Sequence, residues 1–482
     1  MENFHKRIIR APDGFTDIYR REVGLTHPSS FASRFLASEV LVKQMNLYGK
    51  LDGHEACVNA VEFNSSGDLL VSGSDDRQVI LWNWASKNKL FAYHSGHLDN
   101  IFQTRIMPFT DDRKIVTSAG DGQVKLGLLW EDGRVVTTLL GRHQGSVYKL
   151  AVEPGSPHIL YSCGEDGLIQ HFDLRSSSAT KLLCCSTLTG NSRQALDLIR
   201  LNAIVIDTKN PYYFAVGGSD EFARVYDVRK CWWDAASNCD RPVNTFCPQH
   251  LIGSNSVHIT GLAYSCLSEL LVTYNDELIY LFQKSLGLGS SPLSVTSDDL
   301  KKLEEVKVYS GHRNAQTVKG VNFYGSSDNY VVSGSDCGHI FIWNKKDTKR
   351  VRLIRGDRYI VNQLEPHPHL PILATCGIEN NVKIWAPLAS DVPPLPENVE
   401  EIMEANRQGR EDRSRVTLSP DVIMHVLRLQ RRQTMAFTER RHNNADIVRH
   451  ENYEESYFFG CSDDDASSEE DSSGDPRDCN IS

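Results

Sequence analysis

Gly53-His54-Glu55-Ala56-Cys57-Val58-Asn59-Ala60-Val61-Glu62-Phe63-Asn64-Ser65-Ser66-Gly67-Asp68-Leu69-Leu70-Val71-Ser72-Gly73-Ser74-Asp75-Asp76-Arg77-Gln78-Val79-Ile80-Leu81-Trp82 is the stretch that decides the fold. From Val58 to Phe63 apolar side chains fall on alternate positions, and Ser65-Ser66-Gly67-Asp68 breaks the run. Leu69 to Gly73 is short and almost wholly apolar, Ser74-Asp75-Asp76-Arg77 is a tight polar turn, and Gln78 to Trp82 alternates again. The pattern predicts three strands joined by two hairpin turns. Three strands have too little area to offset the entropy of ordering them, so this sheet requires neighbours of its own kind.

The neighbours are in the sequence. Gly-His or a near match recurs at Gly96-His97, Gly141-Arg142-His143 and Gly311-His312. An acid stands six residues before an aromatic in the pairs Asp76 and Trp82, Asp166 and Phe172, Asp220 and Tyr226, Asp276 and Phe282, Glu379 and Trp385. A second unit keeps Asp121 and Val124 but has Gly127 at the aromatic position; a sixth keeps Ser333-Gly334-Ser335 and Trp343 with Cys337 at the acid position. Seven units fit. A repeat of forty-odd residues with Gly-His early and an aromatic late resembles the blades of WD-repeat β-propellers, which implies an all-β, seven-bladed ring over residues 40–386.

His54, Ser72 and Asp76 are also the residue types of a hydrolase triad. Repetition argues against catalysis, because a nucleophilic site is needed once, whereas four units carry the histidine and five the acid. The resemblance instead implies a hydrogen-bond chain inside each blade, with His54, Ser72, Asp76, Trp82, Asp166, Asp220, Asp276, Trp343 and Trp385 as structural members. Units two and six, each lacking a member, are expected to be softer. No unrepeated acid, base and nucleophile set stands out, and neither a catalytic residue nor a metal or other cofactor is expected. Cys231, Cys239, Cys247 and His250 are spaced too widely for a compact zinc knuckle.

Composition narrows the setting. Twelve cysteines are scattered along the chain and Met1-Glu2-Asn3-Phe4-His5-Lys6 opens no signal peptide, so a reducing compartment, nucleus or cytoplasm, is expected. The net charge of −10 is concentrated: Asp463 to Asp478 holds eight acids and one arginine, leaving the rest near −3. That remainder offers no field for nucleic acid. No apolar run is long enough for a membrane helix.

Ahead of the ring, Pro28-Ser29-Ser30-Phe31-Ala32-Ser33-Arg34-Phe35-Leu36-Ala37 predicts a short helix capped by Ser29 or Ser30, with Phe31, Phe35 and Leu36 on one face. That face packs either on the ring itself or in a partner. Leu41 to Lys50 alternates as a strand placed to complete the last blade. Beyond the ring, residues 387–460 read as a Pro-rich linker and a basic helix opening at Ser419-Pro420-Asp421, and 461–482 as a disordered acidic tail. Ser467, Ser468 and Ser472, each with an acid three residues on, suit an acidophilic kinase.

Two units end alike, on Phe172-Asp173-Leu174-Arg175 and Tyr226-Asp227-Val228-Arg229. An acid followed two residues later by arginine, on adjacent units, places both arginines on one rim. The run from Gly217 to Arg229 resembles the box of WD-repeat proteins that bind damaged-DNA-binding protein 1, the adaptor of cullin-4 ubiquitin ligases. The helix carrying Phe31 and Phe35 resembles the docking segment those receptors place before the propeller. Over most of its length, from the Ser33-Arg34-Phe35 helix through Leu51-Asp52-Gly53-His54 and Ser333-Gly334-Ser335-Asp336-Cys337-Gly338-His339-Ile340, the chain is similar to their type-8 subfamily. The resemblance implies a non-enzymatic substrate receptor in residues 1–39 and 40–386, with damaged-DNA-binding protein 1, cullin-4 through it, and substrate proteins as partners. It implies adaptor contacts at Phe31, Phe35, Arg175 and Arg229, with Asp173 and Asp227 holding the arginines in place. The alternative is a general scaffold of a chromatin or RNA-associated complex.

Overall fold

Seven antiparallel sheets of four strands follow one another along the chain, and their innermost strands stand side by side in a closed ring. In this computed structural model the described residues are 14–411, apart from 177–178, 188–196, 232–240, 255, 291–305, 390–392 and 397. The basic helix from Ser419, the acidic tail with its three serines, and Cys239 lie outside them.

Blade one is β2 (Val58–Phe63), β3 (Leu69–Ser74), β4 (Gln78–Asn83) and β5 (Asn88–His94), the fourth strand adding the outer edge to the three read from sequence. Each later blade repeats this order of strands a to d from the axis outward. Blade seven borrows its outer strand from the N-terminal side: β1 (Met45–Asp52) pairs antiparallel with Asn381–Pro387, Leu47 opposite Trp385 and Asp52 opposite Asn381. The ring is thus sealed by strands from both ends of the propeller.

In six of the seven blades the a–b pairing shifts register at one equivalent place, between Val58 and Ala60 in blade one and between Val361 and Gln363 in blade seven. Such a bulge increases local twist, which lets each inner strand turn toward the axis. The Ser-Gly pairs of the repeat have a packing reason: a Cβ on Gly73 would stand 2.7 Å from Ile101 and Thr104 of the next blade. Blade two shows how a missing aromatic is replaced. A Cβ on Gly127 would lie 2.5 Å from the Tyr93 hydroxyl, so the tyrosine of blade one fills the slot a tryptophan takes elsewhere.

Because the strands of each blade form a meander, the a–b and c–d turns emerge at one end of the ring, the lower one. The b–c turns and the connections between blades emerge at the upper end. Before the ring lie α1 (Gly14–Glu22), α2 (Pro28–Leu36) and α3 (Glu39–Lys43). Helix α2 is where the sequence places it, but its N-cap is His27, whose Nδ1 accepts the Ser29 amide, with Pro28 in the first turn where a missing N–H costs nothing. The strand expected from Leu41 begins only at Met45, since Val42 is spent burying α3 on the ring.

After the ring, where a linker is expected, α4 (Val399–Glu411) packs over the upper end of blade six. Its Val399 joins a core with Phe341, Trp343 and Leu353, and Asn406 Nδ2 donates to Gly311 O at 2.8 Å. Arg410 donates to His312 O. Three buried or half-buried contacts at this spacing are a helical face that the high charge of the segment hides.

Candidate functional site

The hydrogen-bond chain inside blade one is complete. His54 Nδ1 lies 2.9 Å from Asp76 Oδ2, its Nε2 lies 2.7 Å from Ser72 Oγ, and Trp82 Nε1 donates to Ser72 Oγ at 2.8 Å. Burial alone would raise the Asp76 carboxyl, but His54 and the amides of Glu55 and Gln78 hold it below its ordinary value. Ser72 is 0% exposed, walled in by its two partners, so no substrate reaches the hydroxyl. Blade three repeats the chain through His143, Asp166 and Ser162, and blade two through His97, Asp121 and Thr117.

The other blades satisfy the acid differently. In blade four Arg224 clasps Asp220 through two bonds of 2.9 and 2.5 Å. In blade five it is the Asp276 backbone that is tied, its amide donating to Asn314 O at 2.7 Å, while Asn314 Nδ2 donates to Thr260 Oγ1 and Tyr274 O. In blade six, where Cys337 stands at the acid position, Asp336 one residue earlier pairs with the buried Lys319, and neither nitrogen of the buried His312 has a hydrogen-bond partner; Trp343 Nε1 donates instead to Ser310 O at 3.0 Å. In blade seven Lys383 pairs with Glu379 and Trp385 Nε1 donates to Thr375 Oγ1 at 2.8 Å.

His312 gives a testable acid response. Burial pushes its imidazole down to about 3, helped by Arg410 and Lys319. His367 is likewise pushed down by burial, to about 4; its Nε2 faces Gly67 O at 2.9 Å and its Nδ1 accepts the amides of His369 and Leu370. Both native values lie below that of the unfolded chain, so on acidification the unfolded chain takes up the proton first. The stability these two neutral rings hold is complete above about pH 6.5 and is lost as the pH falls below it, by about 2 kcal/mol at pH 5 for the enclosed His312 and by less for His367, which solvent screens in part. The melting temperature is expected to be flat near pH 7.5 and to fall from about pH 6.5. His312→Phe should flatten that slope; an unchanged slope would contradict the assignment.

At the lower end the two arginines occupy equivalent places. Ile159 stands opposite Asp173 in blade three as Tyr213 stands opposite Asp227 in blade four. Each aspartate then closes a turn by accepting the arginine's own amide, at 3.0 and 3.1 Å. Each also holds the guanidinium in a fork: Nε donates at 2.9 Å in both, and Nη2 at 2.7 Å to Asp173 and 2.8 Å to Asp227. The arginine bonds hold both carboxyls below their ordinary value, that of Asp173 the further. Arg175 and Arg229 nevertheless remain 65% and 55% exposed. Arg229 also lies over the Tyr212 ring, 4.4 Å from its centroid.

A guanidinium has five N–H groups, and the fork engages only its inner side. The outer side faces solvent, oriented for a partner's carbonyl or carboxylate. Asn344 makes the corresponding turn in blade six, accepting the amide of Lys346 two residues on, and Asn83 in blade one accepts that of Ser86 three residues on, with no arginine in the clasp position of either. The turn is thus a general device, and the Asp-Arg clasp is an addition to it.

Phe31 and Phe35 stack at 6.0 Å on α2, Phe35 is 41% exposed, and Arg21 caps the Phe31 ring at 5.2 Å. The helix is tied to the ring at its C-terminal end. Ser326 Oγ donates to Ser33 O and Tyr330 OH to Ala37 O, each at 2.9 Å. Ser326 belongs to the a–b turn of blade six, so α2 and the arginines share the lower end. They do not adjoin, because blade five stands between.

That gap contains what the sequence reading missed. A cleft of about 260 Å³ between blades four and five is walled by Tyr213, Phe246, Tyr264, Leu267 and Leu270, with Lys209 and Lys284 among its lining. The residues come from turns far apart in sequence, and no single stretch signals the cleft. The lower end therefore presents two clasped arginines, an apolar cleft and an apolar helix face in succession around the ring.

Fold and repeats together define a WD-repeat β-propeller of seven blades. The family model described as WD domain, G-beta repeat matches residues 45–83, 133–173 and 303–344. The first match runs from the outer strand of blade seven to the third strand of blade one, so the sequence repeat straddles two blades.

Among curated proteins, the chain is 34% identical to Protein ALTERED SEED GERMINATION 2 of Arabidopsis thaliana over 58% of its own length and 40% of that protein's. It is 34% identical to DDB1- and CUL4-associated factor 6 of Homo sapiens, over 55% of this chain and 31% of that one. WD and tetratricopeptide repeats protein 1 of Homo sapiens is 23% identical, over 82% of this chain and 92% of that protein. The chain thus spans well under half the length of the first two. Among solved structures, the β-propeller domain of Cps50 (Swd1) from Myceliophteria thermophila superposes with a TM-score of 0.53 at 20% identity, covering 71% of this chain and 99% of that one, a likeness of fold alone.

Proposed function

We propose that this protein is a non-enzymatic substrate receptor that recruits target proteins to a cullin-4 ubiquitin ligase through damaged-DNA-binding protein 1. The observation that carries the reading is the pair of clasped, half-exposed arginines on adjacent blades. Their forks are held by Asp173 and Asp227 before any partner arrives, and preorganised arginines are frequent interface hot spots because little freedom is lost on binding. The name of the human relative, DDB1- and CUL4-associated factor 6, supports the same partner. The exposed Phe35 on α2 supplies an apolar anchor at the same end of the ring. The finer likeness to the type-8 subfamily and residence in nucleus and cytoplasm belong to this proposal.

A scaffold of chromatin or RNA assembly uses the same fold without requiring the clasp. Affinity purification of the tagged chain separates the two readings. Recovery of damaged-DNA-binding protein 1 with cullin-4 is expected; recovery of chromatin or RNA-processing subunits without the adaptor would overturn the receptor reading.

A further inference from the structure

On the upper end an open cleft of about 370 Å³ lies between blades six and seven, lined by Leu47, Lys50, Arg355, Asp357, Arg358, Glu379 and Lys383, among others. Lys50 comes from the borrowed strand β1, Arg355 from the outer strand of blade six, and Arg358 from the connection into blade seven. Its acids are already occupied: Lys383 pairs with Glu379 and lies 3.5 Å from Asp357, whose Oδ1 also accepts the Tyr359 amide at 2.9 Å. Lys50, Arg355 and Arg358 are exposed, and among the described residues none has a carboxylate partner; Arg355 donates only to Arg358 O, at 3.2 Å. The cleft therefore carries two more positive than negative charges, in a chain whose overall charge is negative.

We propose that this cleft binds an acidic peptide segment of a protein brought to the ring. Unpaired cations around a recess attract carboxylates, and two arginines add bidentate geometry to that attraction. Leu47, 38% exposed at the lining, accepts an apolar side chain beside the acids. Trp385 is buried, so the cleft offers no aromatic face for a base, and three cations at one recess are too few to track a polynucleotide. The cleft opens at the end opposite the clasped arginines and α2, and so stays accessible when the lower end is occupied. That its occupant is a ligase substrate rests on the receptor reading above; that it binds an acidic peptide does not.

The test is fluorescence anisotropy of a labelled twelve-residue peptide of Glu, Asp and Leu, titrated with the full chain at low salt. Saturable binding that weakens as salt is raised is expected. Arg355→Glu/Arg358→Glu should weaken it tenfold or more, and Lys50→Glu, on a different strand, severalfold, with melting temperatures near that of the parent. Arg175→Ala/Arg229→Ala should leave it within twofold. Equal binding by parent and both cleft variants would overturn the proposal, as would an RNA dodecamer displacing the peptide at lower concentration. Binding by a chain lacking residues 461–482 but not by the full chain would assign the cleft to the chain's own tail and also overturn it. Peptide binding without adaptor binding would leave the cleft standing and remove only the receptor reading.

Discussion

Arg175→Ala/Arg229→Ala is expected to weaken binding to damaged-DNA-binding protein 1 roughly thirtyfold or more, while the protein folds and melts as the parent does. The two halves of that expectation have separate grounds. Binding falls because both guanidiniums project from one end of the ring already oriented. Folding survives because each side chain is more than half exposed and hydrogen-bonds only within its own turn, the contact of Arg229 with the Tyr212 ring lying at the surface. The opposite view makes the clasp a local brace for the c–d turn. It then predicts a lower melting temperature with binding intact, and finding that combination would withdraw the interface. Phe31→Asp/Phe35→Asp tests the helix independently. Since α2 meets the ring through Ser33 and Ala37 rather than through the two rings, these changes should also spare the propeller and weaken adaptor binding.

Trp82→Ala is expected to produce the largest loss of stability, about 3–5 kcal/mol. Trp82 is 1% exposed and packs with Leu51, Val61, Leu70 and Ile80 in a core shared with Ala374, Val382 and Ile384 of blade seven. Its removal opens a cavity at the seam where β1 closes the ring, and it deprives Ser72 Oγ of a donor. Thermal melting with limited proteolysis checks this: the variant should melt well below the parent and be cut first near the closure, between β1 and blade one. A melting point within a degree or two of the parent would show that the seam does not depend on this residue.

The ring was legible in the sequence because every blade repeats the same chemistry, so local patterns and global architecture agree. Gly53 to Trp82 displayed two turns and three strands, and the fourth strand was hidden only because Asn88–His94 is an exposed edge with weak alternation. The three-residue outer strands of blades four and five, Asn244–Phe246 and Lys307–Tyr309, lie after long connections that obscure the repeat. Blades two and six, expected to be softer for want of one member, each carry a contact the repeat does not announce. Tyr93 fills the space left by Gly127, and in blade six Lys319 engages Asp336, one residue before the Cys337 that stands at the acid position.

The candidate interface was legible in part. Phe172-Asp173-Leu174-Arg175 and its twin revealed the clasp because the whole device lies within four residues. The separation of α2 from the arginines by blade five was not legible, since it depends on Ser326 and Tyr330, nearly three hundred residues from the helix. The cleft between blades four and five and the cationic cleft between six and seven were hidden for the same reason. Helix α4 escaped because its buried face is narrow and Arg407, Arg410 and four glutamates dominate its composition.

Amide hydrogen exchange of the full chain, with and without purified damaged-DNA-binding protein 1, tests the central claim most directly. Slowed exchange is expected in Pro28–Leu36 and in the c–d turns after Asp173 and Asp227, with the b–c turns of blades one to three and the connection through Arg355 and Arg358 unchanged. Protection confined to the upper end, or no protection anywhere at saturating adaptor, would contradict it.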